Sequence, residues 1–447
     1  MLEKLYQTYL QSHCVTTDSR AITQGCIFFA FKGEHFDGNA FAVQALQEGA
    51  ALCVVSETTE RDERIIVVDD VLATLQELAR EHRRHLQIPV IGITGTNGKT
   101  TTKELVNAVL SKRYRTWATK GNFNNHLGVP LTLLSIPTDT EVAIVEMGAN
   151  HPGEIEFLCG IADPDCGLIT NVGRAHLEGF GSFEGVINTK TELYRHLASK
   201  NGLVFVNADN AILTERAAGM QTYCYGRSEG ANVRGTLVGI GQHTVVSTGE
   251  QMLTTNHCPL PTPYLHFYFE VGDNVYNVRT HLLGAYNFDN CMAAVAVGLR
   301  FGVEPWDIKE AIEAYEPSNQ RSQMKNTARG NRLYLDCYNA NPSSMAAAIE
   351  SFKGMGGTMA IIGGMHELGK DERLEHERVV EQLAGCKLER VLLVGPEWEG
   401  IQHSDNMLLF CDTEAVRRWL MDNPVSNATI LVKGSNTNRL WTLEELL

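Results

Sequence analysis

Long apolar runs are missing from this chain. No stretch approaches 18 consecutive apolar residues, so no membrane-spanning helix is expected. The opening MLEKLYQTYLQSHC alternates charge and apolarity in helical fashion. It lacks the unbroken apolar segment and small-residue cleavage site of a signal peptide. Positive charge is scarce: 38 Lys and Arg against 53 Asp and Glu leave a net charge of −15. So acidic a chain is a poor general binder of nucleic acid or anionic membranes. An anionic ligand must therefore be held locally, by backbone N–H groups, single lysines or metal ions. The 11 cysteines include no CxxC pair, and Cys53, Cys166 and Cys291 sit inside apolar runs. That pattern reads as buried, reduced thiols in a cytoplasmic protein rather than as disulfides or zinc ligands. Internal repeats and low-complexity tracts are also absent.

What is present is ordinary globular material. With 447 residues, 43% hydrophobic and 20% charged, the chain can build two to four domains with real cores. Up to about residue 86 short strands (GCIFFAFKG, ALCVVSE, IIVVDD) mix with helices such as FAVQALQEGA. EHRRHLQIP then marks a boundary, a charged helix end followed by Pro89. From there apolar strands alternate with helices: PVIGIT, TEVAIVEMG, CGLITNV and GLVFVN are strands, while PGEIEFLCGIA and FEGVINTKTELYRHLASK are helices. Near-continuous apolar strands between helices predict a parallel sheet covered on both faces. NVRGTLVGI, HTVVST, LHFYFEV and VYNVRTHLL read instead as antiparallel strands. EAYEPSNQRSQMK marks a second boundary near 315–325, after which α/β alternation resumes (RLYLDCY, MAIIGG, RVLLVG, MLLFCD, ATILVKG). The expected fold is α/β in three domains: 1–86, 87–316 with a mostly parallel sheet, and a Rossmann-like 317–447.

The sharpest motif is Gly95-Thr96-Asn97-Gly98-Lys99-Thr100, followed by Thr101. It follows a strand and opens a helix, as a phosphate-binding loop must. Glycines let backbone N–H groups face phosphate oxygens, the helix N-terminus adds partial positive charge, Lys99 neutralises the β/γ-phosphates and the Thr100 hydroxyl can meet Mg²⁺. The spacing departs from GxxxxGK[ST], because Ile93 stands where the first glycine belongs. Glu146 ends an apolar strand, where parallel sheets place their ligands, and could hold Mg²⁺; a solvated strand-end acid is the alternative. Asn171 and His176 also fall past a strand end, and His176 is a metal ligand or a hydrogen-bonded loop histidine. Asn287 and Asn290 share one helix face, with amide edges suited to adenine or to capping. Arg321 suits phosphate and Asp336 suits ribose hydroxyls, against a linker arginine and a capping aspartate. Ser19, Arg20, Lys32 and Gly33 lie in polar N-terminal loops that could take an anionic or nucleotide-like group. Lys190, read alone, is a lysine on a helix surface.

The ordered set says more than any member. TGTNGKTTTKE, GNFNNHLGVP, VEMGANHPGEI, ITNVGRAHLEGFGS, the Lys190 helix, GAYNFDN, DCYNANPSSM and LVKGSNTNR resemble the Mur ligases of bacterial cell-wall synthesis, almost end to end. The resemblance implies a UDP-precursor domain, a central ATPase and a C-terminal domain that brings the incoming amine. It places Mg²⁺, two ions, on Thr100, Glu146, His176 and a carbamylated Lys190, and makes Lys99, His176 and Lys190 catalytic. It puts adenine near Asn287 and Asn290, ribose and phosphate near Arg321 and Asp336, and the UDP group near Ser19, Arg20, Lys32 and Gly33. DSR…FKGEHFDG and DCYNANPSSM most resemble the member whose substrates are UDP-N-acetylmuramoyl-tripeptide and D-alanyl-D-alanine. The implied protein is a monomeric, cytoplasmic, ATP-dependent amide ligase working through an acyl phosphate, with no nucleic-acid or membrane partner. Another Mur-type or a folylpolyglutamate-type ligase is the alternative. The stretch of about 86 residues before the loop argues against the folate type, and intact Lys99, Thr100, Glu146, His176 and Lys190 argue against an inactive scaffold. Three positions depart from the family pattern: Gly364 where Asp is usual, Asn436 where Arg is common, and Cys337 where a small or acidic residue follows Asp336.

Overall fold

A computed structural model describes residues 1–34, 36–238, 264–317 and 323–447. Three sheets follow one another along the chain. The first has four short parallel strands in chain order, Val15–Thr16, Ile27–Phe29, Leu52–Val55 and Ile65–Val67. Its two inner strands are wholly buried, because alternate side chains go to opposite faces and both faces are covered. Phe28, Cys53 and Val55 pack on helix Ala42–Gln47. Ile27, Phe29 and Val54 pack on the other side, with Leu5 and Tyr9 of helix Leu2–Ser12 and Leu75 and Leu78 of helix Val71–His85.

Among the described residues the central sheet has nine strands. Seven run parallel, in the spatial order Val233–Leu237, Thr222–Gly226, Leu203–Asn207, Cys166–Ile169, Val90–Thr94, Val142–Glu146 and Thr116–Ala118. The antiparallel hairpin Tyr264–Val271/Asn274–Leu283 extends it beyond Val233–Leu237. The expectation of four antiparallel strands in this region is therefore corrected at its first member. Val233–Leu237 is parallel to one neighbour and antiparallel to the other, the seam where the sheet changes character. HTVVST lies outside the described residues. The segment expected as one helix over 183–200 is two, Phe183–Lys190 and Glu192–Ser199, broken at Thr191.

The third sheet has six strands, ordered Gln323–Asn326, Arg332–Asp336, Thr429–Lys433, Met359–Gly363, Arg390–Val394 and Met407–Phe410. All neighbours are parallel except the first pair. Helices Pro342–Lys353, Glu372–Ala384 and Thr413–Asp422 flank it. No helix among the described residues is long and apolar enough to cross a membrane.

The cores are unevenly divided. One continuous cluster runs from Leu5 and Leu75 through Val129 and Leu133 to Val145, Ile155 and Leu193, joining the first sheet's helices to the central sheet. The two cores of the third sheet stand apart. Among the described residues, Leu283 is the only buried member of either that precedes residue 323.

Candidate active site

Parallel sheets offer ligands the carboxyl ends of their strands. Here strand ends of the central sheet face strand ends of the third sheet across a cavity of about 930 Å³. The loop Gly95–Gly98, Glu146, Asn171 and His176 line one side, and Asp336 and Lys433 the other.

The loop after Val90–Thr94 turns through positive φ at Gly95 (144°) and Gly98 (76°). At Gly98 a side chain would also meet the Asn290 carboxamide 2.5 Å away, so only glycine fits. Helix Lys99–Leu110 starts immediately, aiming its N-terminus at the cavity. Lys99 folds back, donating from Nζ to the carbonyls of Gly95 (2.8 Å) and Thr96 (3.0 Å). Asn171 clamps the loop: its Oδ1 accepts from the Asn97 N–H (3.0 Å) and its Nδ2 donates to the Asn97 carbonyl (2.9 Å). Thr96, Thr100 and Thr101 line the cavity beside it.

Glu146 is 1% exposed. Its Oε1 accepts from Asn124 Nδ2 (2.8 Å) and the Thr100 hydroxyl (3.3 Å). Among the described residues its Oε2 has no hydrogen-bond partner, and it forms an ion pair with Lys103 Nζ at 3.7 Å. A buried carboxylate oxygen with no hydrogen bond, beside a threonine hydroxyl and a phosphate loop, is a donor set that suits Mg²⁺. No group of three or more His, Cys, Asp or Glu among the described residues is placed to hold a metal ion by itself, so phosphate oxygens and water would complete the shell.

His176 precedes the short helix Leu177–Phe180, and its Nδ1 is in hydrogen-bond contact with Glu367 of the third-sheet unit. Burial holds its pKa below the usual histidine value; Lys99 and Lys190 act in the same sense, and Glu367 opposes them. The surface reading of Lys190 is overturned, since it is 2% exposed. Its Nζ donates to the Ala149 carbonyl (3.2 Å) and lies over the Phe180 ring. Burial, then repulsion from Lys99, drives its pKa well below the ordinary lysine value.

Asn287 and Asn290 are buried on the cavity wall at the start of helix Asn287–Arg300. Asn290 donates to Asn287 Oδ1 (2.8 Å) and accepts from the Thr102 hydroxyl (3.1 Å), which ties this helix to the loop's helix. Asp336 accepts from Lys433 Nζ (2.7 Å), a lysine only 1% exposed. Arg321 lies outside the described residues. Ser19, Arg20, Lys32 and Gly33 do not line this cavity. Arg20 is paired with Asp18 (2.8 Å) and Lys32 with Glu57 (2.5 Å), while the Gly33 N–H donates to the Phe36 carbonyl (2.7 Å).

Several residues of the site carried no sequence signal of their own. Asn341 exchanges amide hydrogen bonds with Asn97 of the phosphate loop, joining the two units, the shorter at 2.8 Å. Asn124 and Lys103 flank Glu146, and Lys433 backs Asp336. Asn124, Asn341 and Lys433 sit inside GNFNNHLGVP, DCYNANPSSM and LVKGSNTNR, which carried the family resemblance as strings. At Gly364 the Glu397 carboxylate fills the space a side chain would need. A second cavity of about 400 Å³ adjoins the first, lined by His176, Asn339, Asn341, His366, Glu367 and Ser435 among others.

Family models match three consecutive segments: the Mur ligase family catalytic domain at residues 11–88, the Mur ligase middle domain at 93–298, and the Mur ligase glutamate ligase domain at 320–436. The chain is 36% identical over 389 residues to UDP-N-acetylmuramoyl-tripeptide--D-alanyl-D-alanine ligase of Bacillus subtilis, covering 86% of this chain and 80% of that protein. Among solved structures it resembles MurF from Acinetobacter baumannii with a TM-score of 0.83, at 30% identity over 97% of this chain and 93% of that one. It also resembles MurF from Thermotoga maritima in complex with ADP, with a TM-score of 0.81, at 28% identity over 97% and 96%.

Proposed function

The chain belongs to the Mur ligase family, and from that premise we propose that it joins D-alanyl-D-alanine to UDP-N-acetylmuramoyl-tripeptide at the expense of ATP, in peptidoglycan precursor synthesis. The observation that carries the reading is the phosphate loop opening onto a cavity whose far wall belongs to another unit. Such a cavity can hold a nucleotide and a second substrate face to face.

ATP lies with its phosphates on Gly95–Thr101, adenine against Asn287 and Asn290, and ribose against Asp336, with Arg321, outside the described residues, assigned to phosphate by the family resemblance. Residues 1–86 take the UDP group through Ser19, Arg20, Lys32 and Gly33, residues 87–316 hold ATP, and residues 317–447 bring the amine. The second cavity, reached past His176, has room for the dipeptide. Thr100, Glu146, His176 and a carbamylated Lys190 are the residues that would hold Mg²⁺, which would draw charge off the phosphate oxygens. Two properties of Lys190 support carbamylation: burial that favours the neutral amine, and no carboxylate pairing with it among the described residues.

The tripeptide carboxylate attacks the γ-phosphorus, giving an acyl phosphate and ADP. The dipeptide amine then attacks the acyl carbon; the tetrahedral adduct collapses and releases phosphate. Lys99 neutralises charge on the transferring group, and the clamped loop holds its N–H groups in place, so positioning and electrostatics do most of the work. The reaction takes place in the cytoplasm. Phosphate release with UDP-tripeptide, comparing D-alanyl-D-alanine with D-alanine and L-amino acids, tests the reading. Release that strictly requires the D,D-dipeptide is expected, and equal rates with L-amino acids or no dependence on an amine would sink it.

A further inference from the structure

His176 lines both cavities, and the residue that meets it comes from the other side of the interface. Glu367 lies in the loop after strand Met359–Gly363, and its Oε2 contacts His176 Nδ1. A carboxylate can only accept, so Nδ1 carries the hydrogen, and in the neutral ring Nε2 then keeps its lone pair. A free neutral histidine side chain in water prefers the opposite tautomer. Both residues sit in the left-handed region that residues other than glycine seldom adopt, His176 at φ 50° and Glu367 at φ 61°. The loops are pinned around it. The Glu178 N–H donates to the Glu367 carbonyl (3.3 Å), the Arg174 N–H donates to the Ser343 hydroxyl (2.9 Å), and the Arg174 guanidinium pairs with Glu375 (3.2 Å).

Stability does not account for the pair. The side chains are 31% and 54% exposed, where an ion pair contributes little to folding. Two left-handed residues that meet across the interface in a contact adding little stability fit a positioned group better than a structural tie.

We propose that Glu367 is a positioning residue for the ligation. It reaches across the interface and locks His176 as the Nδ1–H tautomer, leaving Nε2 able to take a cation or a substrate proton. Because Glu367 belongs to the third-sheet unit, docking of that unit assembles the lock. The proposal rests on the reading that His176 serves the ligase reaction.

The test begins on the ligand-free protein, with histidine labelled with ¹⁵N and His176 identified by the signal lost in His176→Gln. Long-range ¹H–¹⁵N spectra at pH 8 should show Nδ1–H in the wild type and in Glu367→Gln, whose amide oxygen still accepts. Nε2–H should appear in Glu367→Leu. Turnover should fall roughly 10- to 100-fold in Glu367→Leu and stay within about threefold in Glu367→Gln, with the KM for ATP unchanged in both. Glu367→Asp, one methylene short, replaces the leucine variant if that one fails to fold, with the same outcomes expected. An unchanged tautomer without the carboxylate overturns the proposal, as does a changed tautomer with full turnover. If the lock is seen but the wild type ligates nothing, the functional reading fails while the tautomer assignment stands.

Discussion

Lys99 donates to its own loop, to the carbonyls of Gly95 and Thr96, so its ammonium is held ready beside the loop. A charge-assisted contact that tightens as the phosphoryl group transfers is worth at least ~3 kcal/mol, about a hundredfold in rate. Lys99→Ala should lose that much in steady-state phosphate release; turnover within tenfold of wild type would remove the loop from the mechanism. Lys190→Arg should fail as badly as Lys190→Ala, because a permanent cation cannot become a carboxylate. Added formate or acetate should partly restore the alanine variant and not the arginine one. Near-normal activity of Lys190→Arg would end the carbamate assignment. The two lysines differ in how far the sequence shows them. Lys99 is legible because a strand, glycines and a helix start surround it in one short string. The burial of Lys190 depends on Phe180 and on Ala149, which is 41 residues away, and no local pattern encodes that.

Helix Val71–His85 shows what periodicity reveals and what it hides. Its charged end before Pro89 was legible, and Asp70 caps its start by accepting from the Ala73 N–H (2.9 Å). Hidden was that two of those polar residues face inward. Arg83 donates to the Ala162 carbonyl (2.9 Å) and to Asp165 (2.8 Å), and His82 packs on Tyr9, whose hydroxyl donates to the Leu134 carbonyl (3.0 Å). Burial, with smaller repulsion from His13 and His85, pushes His82 down to about 4. The unfolded chain, with an ordinary histidine, takes up the proton first. This stability is therefore complete above about pH 6.5 and is lost as pH falls toward 4, about 2 kcal/mol of it between pH 7 and pH 5. Urea unfolding at the two pH values should show that loss, and His82→Gln should lose less. An identical loss in the variant would place the pH sensitivity elsewhere. The phosphate loop makes a similar point at its own scale. The motif spacing asks for glycine at Ile93, but Ile93 is a fully buried strand residue, and Gly95 makes the turn instead.

At the scale of the molecule, the sequence marks two boundaries alike, near 86–89 and near 315–325, and both read as hinges. The cores distinguish them. Across the first, one hydrophobic cluster runs without interruption from Leu5 to Leu193, and polar ties reinforce it, including Gln76 Nε2 to the His126 carbonyl (2.9 Å) beside the cavity. Moving the first unit against the second would open apolar surface at roughly 25 cal/mol per Å². Across the second boundary the apolar contact centres on Leu283 and Tyr264, and the ties around the cavity are polar: Asn97–Asn341, His176–Glu367 and Arg174–Glu375. Polar contacts exchange with water at little net cost, so hinge motion belongs there. Only three-dimensional packing could make that distinction, because composition punctuates both boundaries in the same way. The ligands bridge the second gap, so they should hold the docked arrangement that the ligand-free protein already visits. Distance labels at exposed Gln47, Glu215 and Met421 would test this, attached without thiol chemistry because the chain carries 11 cysteines. Adding a non-hydrolysable ATP analogue and UDP-tripeptide should leave the Gln47–Glu215 distance unchanged and shorten or narrow the Glu215–Met421 distribution. If the first distance changes instead, the continuous core does not join the first two units rigidly, and the boundary near 86–89 is the working hinge.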